Sequence, residues 1–497
     1  MIFPRHSNLR SILTINQQST DLIFIPISLL RIGQRAFFGS QLKYCIFARN
    51  ARIHLIDQDA FSETKNLHSF HIPPSIQNFG DRIFSNSHIK SISFPSTTKL
   101  RELPSMSFRF CQHLPSIDIP SSVETIEAFA FAETNLKSVV FPLDSKLQYI
   151  GEESFYSCKN LTSVEIPASV RAIFNFAFFD ASCQLITFAP NSQLETIGQG
   201  TFRDCSNLVS IEIPPSVTEI GEHAFCNAGL QRVSFGSHSK LVKIRTALFQ
   251  SCSKLTSIEI PENVEEIGDL AFAESGLECV TFASNSRCKT INKCAFHSCR
   301  KLSSIIFPSS LESLRDYAFK DSSIRSFSFM PNSRLTMIRR FTFQKCDQLT
   351  SVGLPSTLKI IQKFAFSSCG SLTCIEIPSS VEEIEEGAFE KSNLKSVVFS
   401  SDSKLKVIGS AAFRGCALET ICIPPSVESI GAGAFNKCVQ LKSVFIAADS
   451  RLRTISADAF KECLNLQTIE CPFSTILDTS VNPPFKSIFI SSSTPPV

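Results

Sequence analysis

The stretch Leu255–Phe272, LTSIEIPENVEEIGDLAF, decides how this chain folds, because nearly the same phrase stands twice before it. It reads LVSIEIPPSVTEIGEHAF at Leu208–Phe225 and LTSVEIPASVRAIFNFAF at Leu161–Phe178, a spacing of 47 residues. Within the phrase, SIEI alternates apolar and polar residues, which is typical of a half-buried strand. The following proline cannot donate to a strand ladder and therefore ends the strand. The remaining residues are predicted to turn back and to bury their valine, isoleucine and phenylalanine.

The phenylalanine that closes the phrase, the anchor phenylalanine, recurs through almost the whole chain. It stands at positions 37, 61, 84, 108, 131, 155, 178, 202, 225, 249, 272, 296, 319, 343, 366, 389, 413, 435 and 460. The spacing alternates between 24 and 23 residues, so two kinds of coil form a 47-residue pair. One coil cannot cover its own apolar face, whereas stacked coils cover each other. The spacing therefore predicts a solenoid with a parallel sheet along one side.

The repeated pattern L-x-x-I-x-I-P-x-S-V-x-x-I-G-x-x-A-F resembles the BspA-like family of leucine-rich repeats, the surface-antigen type of bacteria and parasitic protists. An early copy is Ile23–Phe37, IFIPISLLRIGQRAF. The expected fold is an α/β-type repeat solenoid of about 19–20 coils, each 23 or 24 residues long. The expected arc carries its parallel β-sheet on the concave face. Predicted regions are an N-terminal cap or degenerate repeat (1–19), the solenoid (20–472), and a C-terminal segment (473–497) with a closing strand at Phe485–Ile490 and a Ser/Pro tail.

The charge and apolar pattern exclude several classes of protein. Lysine and arginine number 48 against 45 acidic residues, which gives a formal charge of +3. Nucleic-acid binders normally carry a basic stripe, so this near-balance argues against a nucleic-acid partner. No run of about 18 apolar residues exists, so no membrane-spanning helix is expected. The first twenty residues show no charged leader followed by an apolar run and a small-residue cleavage site, so no signal peptide is predicted.

Catalysis is not predicted, because none of the motifs that carry it occurs. The nine histidines are scattered, and there is no phosphate-binding glycine loop, nucleophile elbow or HExxH helix. A catalytic site would normally break the local pattern, and this chain hardly breaks it. We therefore expect neither an enzyme nor a cofactor.

The cysteines follow the repeat. Ten stand three residues after an anchor phenylalanine: Cys111, Cys158, Cys205, Cys252, Cys299, Cys346, Cys369, Cys416, Cys438 and Cys463. Most mark every second coil, about 9.6 Å apart, which is beyond the reach of a disulfide. Only neighbours such as Cys346/Cys369 and Cys416/Cys438 come close enough to pair. We therefore predict that these cysteines are small residues packed at a tight bend and that their thiols are reduced.

A further set, Cys288, Cys294, His297 and Cys299, has metal-ligating residue types but lacks a C-x-x-C pair. Cys183 and Cys288 occupy positions where sister coils have leucine, so both are predicted in the core. No metal site is therefore predicted.

The middle of each strand carries one outward residue between two buried ones. In five coils this residue is acidic: Asp118, Glu165, Glu212, Glu259 and Glu376. One hypothesis is a mildly acidic groove on the concave sheet that binds a protein or glycan. The other is that strands need a solvated face and that repeats copy it. The face is predicted to be monotonous, with Phe445 as its main apolar exception.

Three functional hypotheses follow. The family resemblance implies a non-enzymatic protein-binding module of the surface-antigen or adhesin kind, with a host or matrix protein or a glycan as partner. Because neither an export signal nor an anchor is seen, the alternative is an intracellular scaffold in signalling or cytoskeletal assembly. This alternative implies a cytoplasmic location. A third hypothesis is an accessory region of an enzyme whose catalytic domain lies elsewhere. The sequence names neither the partner nor the oligomeric state.

Overall fold

The computed structural model describes residues 10–12, 21–456, 458–470 and 489–490. The chain divides into two compact units. The N-terminal unit comprises Met1–Val242 with Leu248–Leu255, and the C-terminal unit comprises Lys243–Ala247 with Thr256–Val497. The predicted boundaries at residues 19 and 472 fall largely outside the described residues and stay a prediction, as does the Ser/Pro tail.

Each coil contains two strands, a front strand built on the SIEI segment and a shorter rear strand built on the following apolar pair. The front strands of the N-terminal unit are Leu22–Ile25, Tyr44–Phe47, Ser69–His71, Ser91–Ser93, Ser116–Asp118, Ser138–Val140, Ser163–Ile166, Leu185–Phe188, Ser210–Ile213 and Arg232–Phe235. Its rear strands are Ser11–Ile12, Arg31–Ile32, Leu55–Ile56, Asn78–Phe79, Glu102–Leu103, Thr125–Ile126, Tyr149–Ile150, Ala172–Ile173, Thr196–Ile197 and Glu219–Ile220.

The C-terminal unit repeats this arrangement. Its front strands are Ser257–Ile260, Cys279–Phe282, Ser304–Phe307, Ser326–Phe329, Ser351–Val352, Cys374–Ile377, Ser396–Phe399, Thr420–Ile423, Ser443–Ile446, Thr468–Glu470 and Phe489–Ile490. Its rear strands are Lys243–Ile244, Glu266–Ile267, Thr290–Ile291, Ser313–Leu314, Met337–Ile338, Ile360–Ile361, Glu383–Ile384, Val407–Ile408, Ser429–Ile430 and Thr454–Ile455. Of the predicted closing strand, Phe489–Ile490 pairs with Thr468–Glu470, and residues 485–488 lie outside the described residues.

The strand pairing is parallel and joins consecutive coils within several separate sheets, with breaks such as the one between Ser91–Ser93 and Ser116–Asp118. In the N-terminal unit, Ser210 lies opposite Arg232 and Glu212 opposite Ser234, so equivalent positions of consecutive coils are in register. This confirms a parallel solenoid with coils about 23 residues apart. The α/β wording is not confirmed: the described residues contain strands and turns but no helix. The physical reason is that a six-residue turn already closes the third side, so no helical segment is needed.

That third side, the turn edge, is built around the anchor phenylalanines. The Phe61 N–H donates to the Ile83 carbonyl at 2.9 Å, and the Phe225 N–H donates to the Leu248 carbonyl at 3.0 Å, which repeats the coil-to-coil pattern without strands. Each turn bends at two left-handed residues, two before and two after the anchor. Around Phe225 these are His223 (φ 57°) and Asn227 (φ 56°). The tight bend aims the anchor ring inward.

The core is the stacked interior of the coils, and its central column is the row of anchor rings. Consecutive rings lie 4.9–5.6 Å apart in the N-terminal unit, with interplanar angles of 2–18°. In the C-terminal unit they lie 5.0–5.4 Å apart at 4–15°. The anchors are buried, which confirms the prediction. Offset stacking of this kind is a favourable aromatic geometry.

Candidate functional site

The front face is the solvent side of the front strands, and its central column is the outward residue of each strand. All five predicted acids lie in this column and are exposed. Three are in the N-terminal unit (Asp118, Glu165, Glu212) and two in the C-terminal unit (Glu259, Glu376). The side chains on either side of each acid along the strand point inward and are buried, because side chains alternate across a strand.

The residues opposite these acids in the next coil are small or apolar. Glu165, Glu212 and Glu259 face Thr187, Ser234 and Thr281, whereas Asp118 and Glu376 face Val140 and Val398. Acids two coils apart are separated by about 9.6 Å, close to the Debye length at physiological salt, so their repulsion is small.

Within the described part of the chain, the five front-face carboxylates have no cationic partner, unlike several acids on the rear side and the turn edge. Among the described residues, none of the five lies within 4.0 Å of a lysine, arginine or histidine nitrogen. On the rear side, by contrast, Glu265 pairs with Lys289 at 2.8 Å and Glu382 pairs with Lys406 at 3.0 Å. These two ion pairs hold the pKa of Glu265 and of Glu382 below the usual range.

The predicted monotony of this face is wrong. Four outward residues are more exposed than Phe445, which is 37% exposed: Ile46 at 48%, Val140 at 50%, Val398 at 50% and Ile306 at 58%. The signal was present in the sequence, because each stands where sister coils have a polar residue between two buried ones. Overlaying the coils position by position would have found them. The front face therefore combines isolated acids with isolated aliphatic side chains.

Glu212 borders a groove of about 510 Å³. The groove lies where two front strands end in loops of different length, and its lining includes Leu185, Thr187, Pro190, Glu212 and Pro215. Leu185 is 46% exposed, so the groove offers one carboxylate beside an apolar contact. Such a pairing suits a partner side chain with an apolar stem and a cationic end.

The cysteines after the anchors are structural. All ten are buried, and each Sγ lies 3.0–3.2 Å from the carbonyl oxygen of the anchor phenylalanine in the preceding coil, to which the thiol donates. This confirms small residues packed at a tight bend. Among the described residues, eighteen cysteines are free thiols, including Cys346, Cys369, Cys416 and Cys438. The neighbours that could have paired therefore remain reduced in the structure.

Burial changes the acidity of these thiols. It raises the pKa of Cys111 to about 11 and that of Cys205 to about 12, because the interior penalises the thiolate. A thiol held neutral is a poor nucleophile and a poor metal ligand. Cys183 and Cys288 are buried as predicted. The described residues contain no group of three or more His, Cys, Asp or Glu side chains that could hold a metal ion.

These observations define the class of protein: a β-solenoid of leucine-rich-repeat type whose ordered outer surfaces, rather than a cleft with reactive groups, are available to other molecules. The family model for the BspA type leucine-rich repeat region (6 copies) matches residues 30–146, 142–241, 181–287, 237–335, 284–395, 328–423 and 359–482. The chain therefore belongs to the BspA-type leucine-rich repeat family.

Solved structures of similar proteins include a leucine-rich repeat protein from Bacteroides ovatus, 23% identical, covering 85% of this chain and 86% of that one, with a TM-score of 0.45. A leucine-rich cell surface protein from Faecalibacterium prausnitzii is 20% identical (76% and 92% covered, TM-score 0.34). The pneumococcal vaccine antigen PcpA is 19% identical (81% and 77% covered, TM-score 0.33). No curated protein matches the chain. Within the described residues no helix could cross a membrane.

Proposed function

We propose that this chain is a non-enzymatic protein-binding module that recognises its partner with the front face. The observation that carries the proposal is that all five front-face carboxylates are unpaired, whereas several acids on the rear side and the turn edge pair with lysine or arginine. A strand needs only a solvated side chain at the outward position, and serine or threonine supplies that. Unpaired acids beside exposed aliphatic residues are the groups that a complementary protein surface would engage.

In finer terms, we propose a surface antigen or adhesin that contacts a host or matrix protein or a glycan. This part of the proposal rests on membership of the BspA-type family. It is tested by location. Protease shaving and antibody staining of intact, unpermeabilised cells should detect the protein. Detection only after permeabilisation would contradict the adhesin role.

A second candidate function is an intracellular scaffold, which the eighteen free thiols favour. Cytosolic proteins keep cysteines reduced, whereas secreted proteins commonly oxidise them. This candidate shares the front face as its binding surface and differs in the compartment of its partner.

The front face itself is tested with partners captured on immobilised protein. The variant Asp118→Asn/Glu165→Gln/Glu212→Gln removes three unpaired charges from the N-terminal unit and should weaken a captured partner about tenfold or more. The matched control is Glu265→Gln/Glu382→Gln/Glu386→Gln, which removes three paired rear and turn charges and should bind normally. Equal affinities of both variants and the wild type would rule out the front face.

A further inference from the structure

The balanced total charge of the chain conceals one strongly basic segment. Residues 287–363 contain fourteen lysines and arginines but only four acids, a formal charge of +10. The rest of the chain holds 34 basic and 41 acidic residues. The expectation that no basic stripe exists was drawn from the total and does not hold for this segment, which lies entirely in the C-terminal unit.

Six of these basic residues lie on the turns that carry Phe296, Phe319 and Phe343, or directly before those turns. We call them the basic edge: Lys293, Arg315, Lys320, Arg339, Arg340 and Lys345. Four are exposed, and Lys320 and Arg339 are half-buried. Because consecutive coils are about 4.8 Å apart, six cations are concentrated along roughly 10 Å of the turn edge.

The basic edge differs from several later turns of the same unit, in which the cations are paired. In later coils of the same unit, Lys363 pairs with Glu386 at 2.9 Å, Arg414 with Glu390 at 3.7 Å, and Lys437 with Glu462 at 3.8 Å. None of the six basic-edge residues has a carboxylate within 4.0 Å among the described residues. Unpaired like charges in adjacent coils repel, so stacking alone gives no reason for them.

An aromatic ladder runs between these cations. Tyr317 stacks on Phe341 at 4.8 Å, and Phe341 stacks on Phe364 at 5.2 Å. Lys293 and Lys320 lie over the ring of Tyr317, with their Nζ atoms 6.0 and 5.4 Å from the ring centroid.

The far face of Phe364 lies against Gly387, where a Cβ would come within 2.3 Å of the ring. Single strands bind aromatic surfaces by base stacking, and a base could stack on Tyr317 only by displacing the two lysines that lie over its ring. Backbone groups at the edge are also occupied: the Phe341 N–H donates to the Lys363 carbonyl at 3.0 Å and the Lys345 N–H to the Ser367 carbonyl at 2.9 Å. An extended peptide would find no strand edge to join.

We propose that the basic edge binds a sulfated polysaccharide. A sulfated polysaccharide presents closely spaced anions to the cations of the edge. Its binding requires neither a free ring face nor a free backbone group. Two of the six cations, Lys293 and Lys320, are oriented by their contact with Tyr317. The surface is separate from the front face and does not depend on it.

The test is titration of the full chain with a size-defined heparin oligosaccharide at physiological salt. The wild type should bind, and Arg339→Gln/Arg340→Gln/Lys345→Gln should bind about tenfold more weakly or worse, with a shallower salt dependence. The matched control Lys406→Gln/Lys437→Gln/Lys442→Gln loses the same charge from ion-paired positions and should bind like the wild type.

A second variant gives the opposite sign. Asp316→Asn/Asp321→Asn removes two acids beside the edge and should tighten heparin binding. This variant tests the proposal even if the glutamine variant fails to fold. Failure of the wild type to bind heparin, or equal weakening by the control, overturns the proposal. If a single-stranded oligonucleotide of matched charge binds more tightly than heparin and displaces it, the ligand of the edge is a nucleic acid and the glycan proposal is wrong.

Discussion

The anchor column and the front-face column stand on the same coils but differ in how strictly they repeat. The anchor position is phenylalanine in every described coil from Phe37 to Phe460. The outward front position is by turns acidic, hydroxylated, aliphatic or aromatic. The difference teaches that coil stacking constrains only what faces the interior, because each ring must fit the rings before and after it. The outward positions are free to vary in charge and polarity.

The largest effect should come from breaking the anchor column. Phe225 is fully buried and stacks between Phe202 and Phe249 at 5.4 Å on each side. Phe225→Ala should lower the free energy of unfolding by about 3–5 kcal/mol, since it leaves a cavity that the neighbouring coils cannot fill. Urea denaturation measures this. A change of about 0.5 kcal/mol or less, the range of surface positions, would contradict the role of the anchor.

The second effect concerns the thiols beside the anchors. Burial raises the pKa of Cys111 from 9.0 to about 11, so its contribution to stability is full below pH 9 and declines as the pH rises toward 11. The loss for this thiol amounts to about 2–3 kcal/mol at 1.36 kcal/mol per pKa unit. Unfolding free energies at pH 8, 9, 10 and 11 should fall in this window. Cys111→Ala should show a shallower fall, and an identical profile would argue against the buried neutral thiol.

A smaller effect on the free energy of unfolding should come from the left-handed turn residues, which flank each buried anchor. Ala411 has φ 53°, whereas Gly433 holds the equivalent place in the next coil at φ 63°. Ala411→Gly should stabilise the protein and Gly433→Ala should destabilise it, each by about 1 kcal/mol, because L-residues are strained in this region. The Gly433 Cβ would meet only ordinary contacts, so the pair isolates backbone strain. Thermal melts that move both variants in the same direction would contradict this account.

The smallest effect on stability is expected on the front face. Asp118→Asn/Glu165→Gln/Glu212→Gln should leave the unfolding free energy within about 0.5 kcal/mol of the wild type, because these exposed acids have no ion-pair partner to lose. Denaturant midpoints provide the measurement. A loss above about 1 kcal/mol would assign these acids to folding and remove the reason to connect them with binding.

Much of this molecule was readable from the repeat. The spacing of Phe225, Phe249 and their sisters predicted the stacked coils, and the alternation in SIEI predicted which side chains face solvent, because side-chain direction in a strand follows directly from position. The exposure of Ile306 and Val398 was equally readable but was missed. Helices were wrongly expected from the fold class, although no helical periodicity stands in the sequence.

What the sequence determined by itself is the role of each equivalent position: the buried anchor phenylalanines, the cysteines packed at the bends and the outward acids. Each coil meets only copies of itself, so periodicity is enough to predict them. Only the tertiary structure decided which charges are paired. Whether Lys345 meets a carboxylate, or whether a face of Tyr317 is already covered by Lys293, depends on side chains from neighbouring coils that differ in sequence. Those pairings separate ion-paired groups such as Glu386 and Lys437 from the unpaired acids of the front face and the unpaired cations of the basic edge.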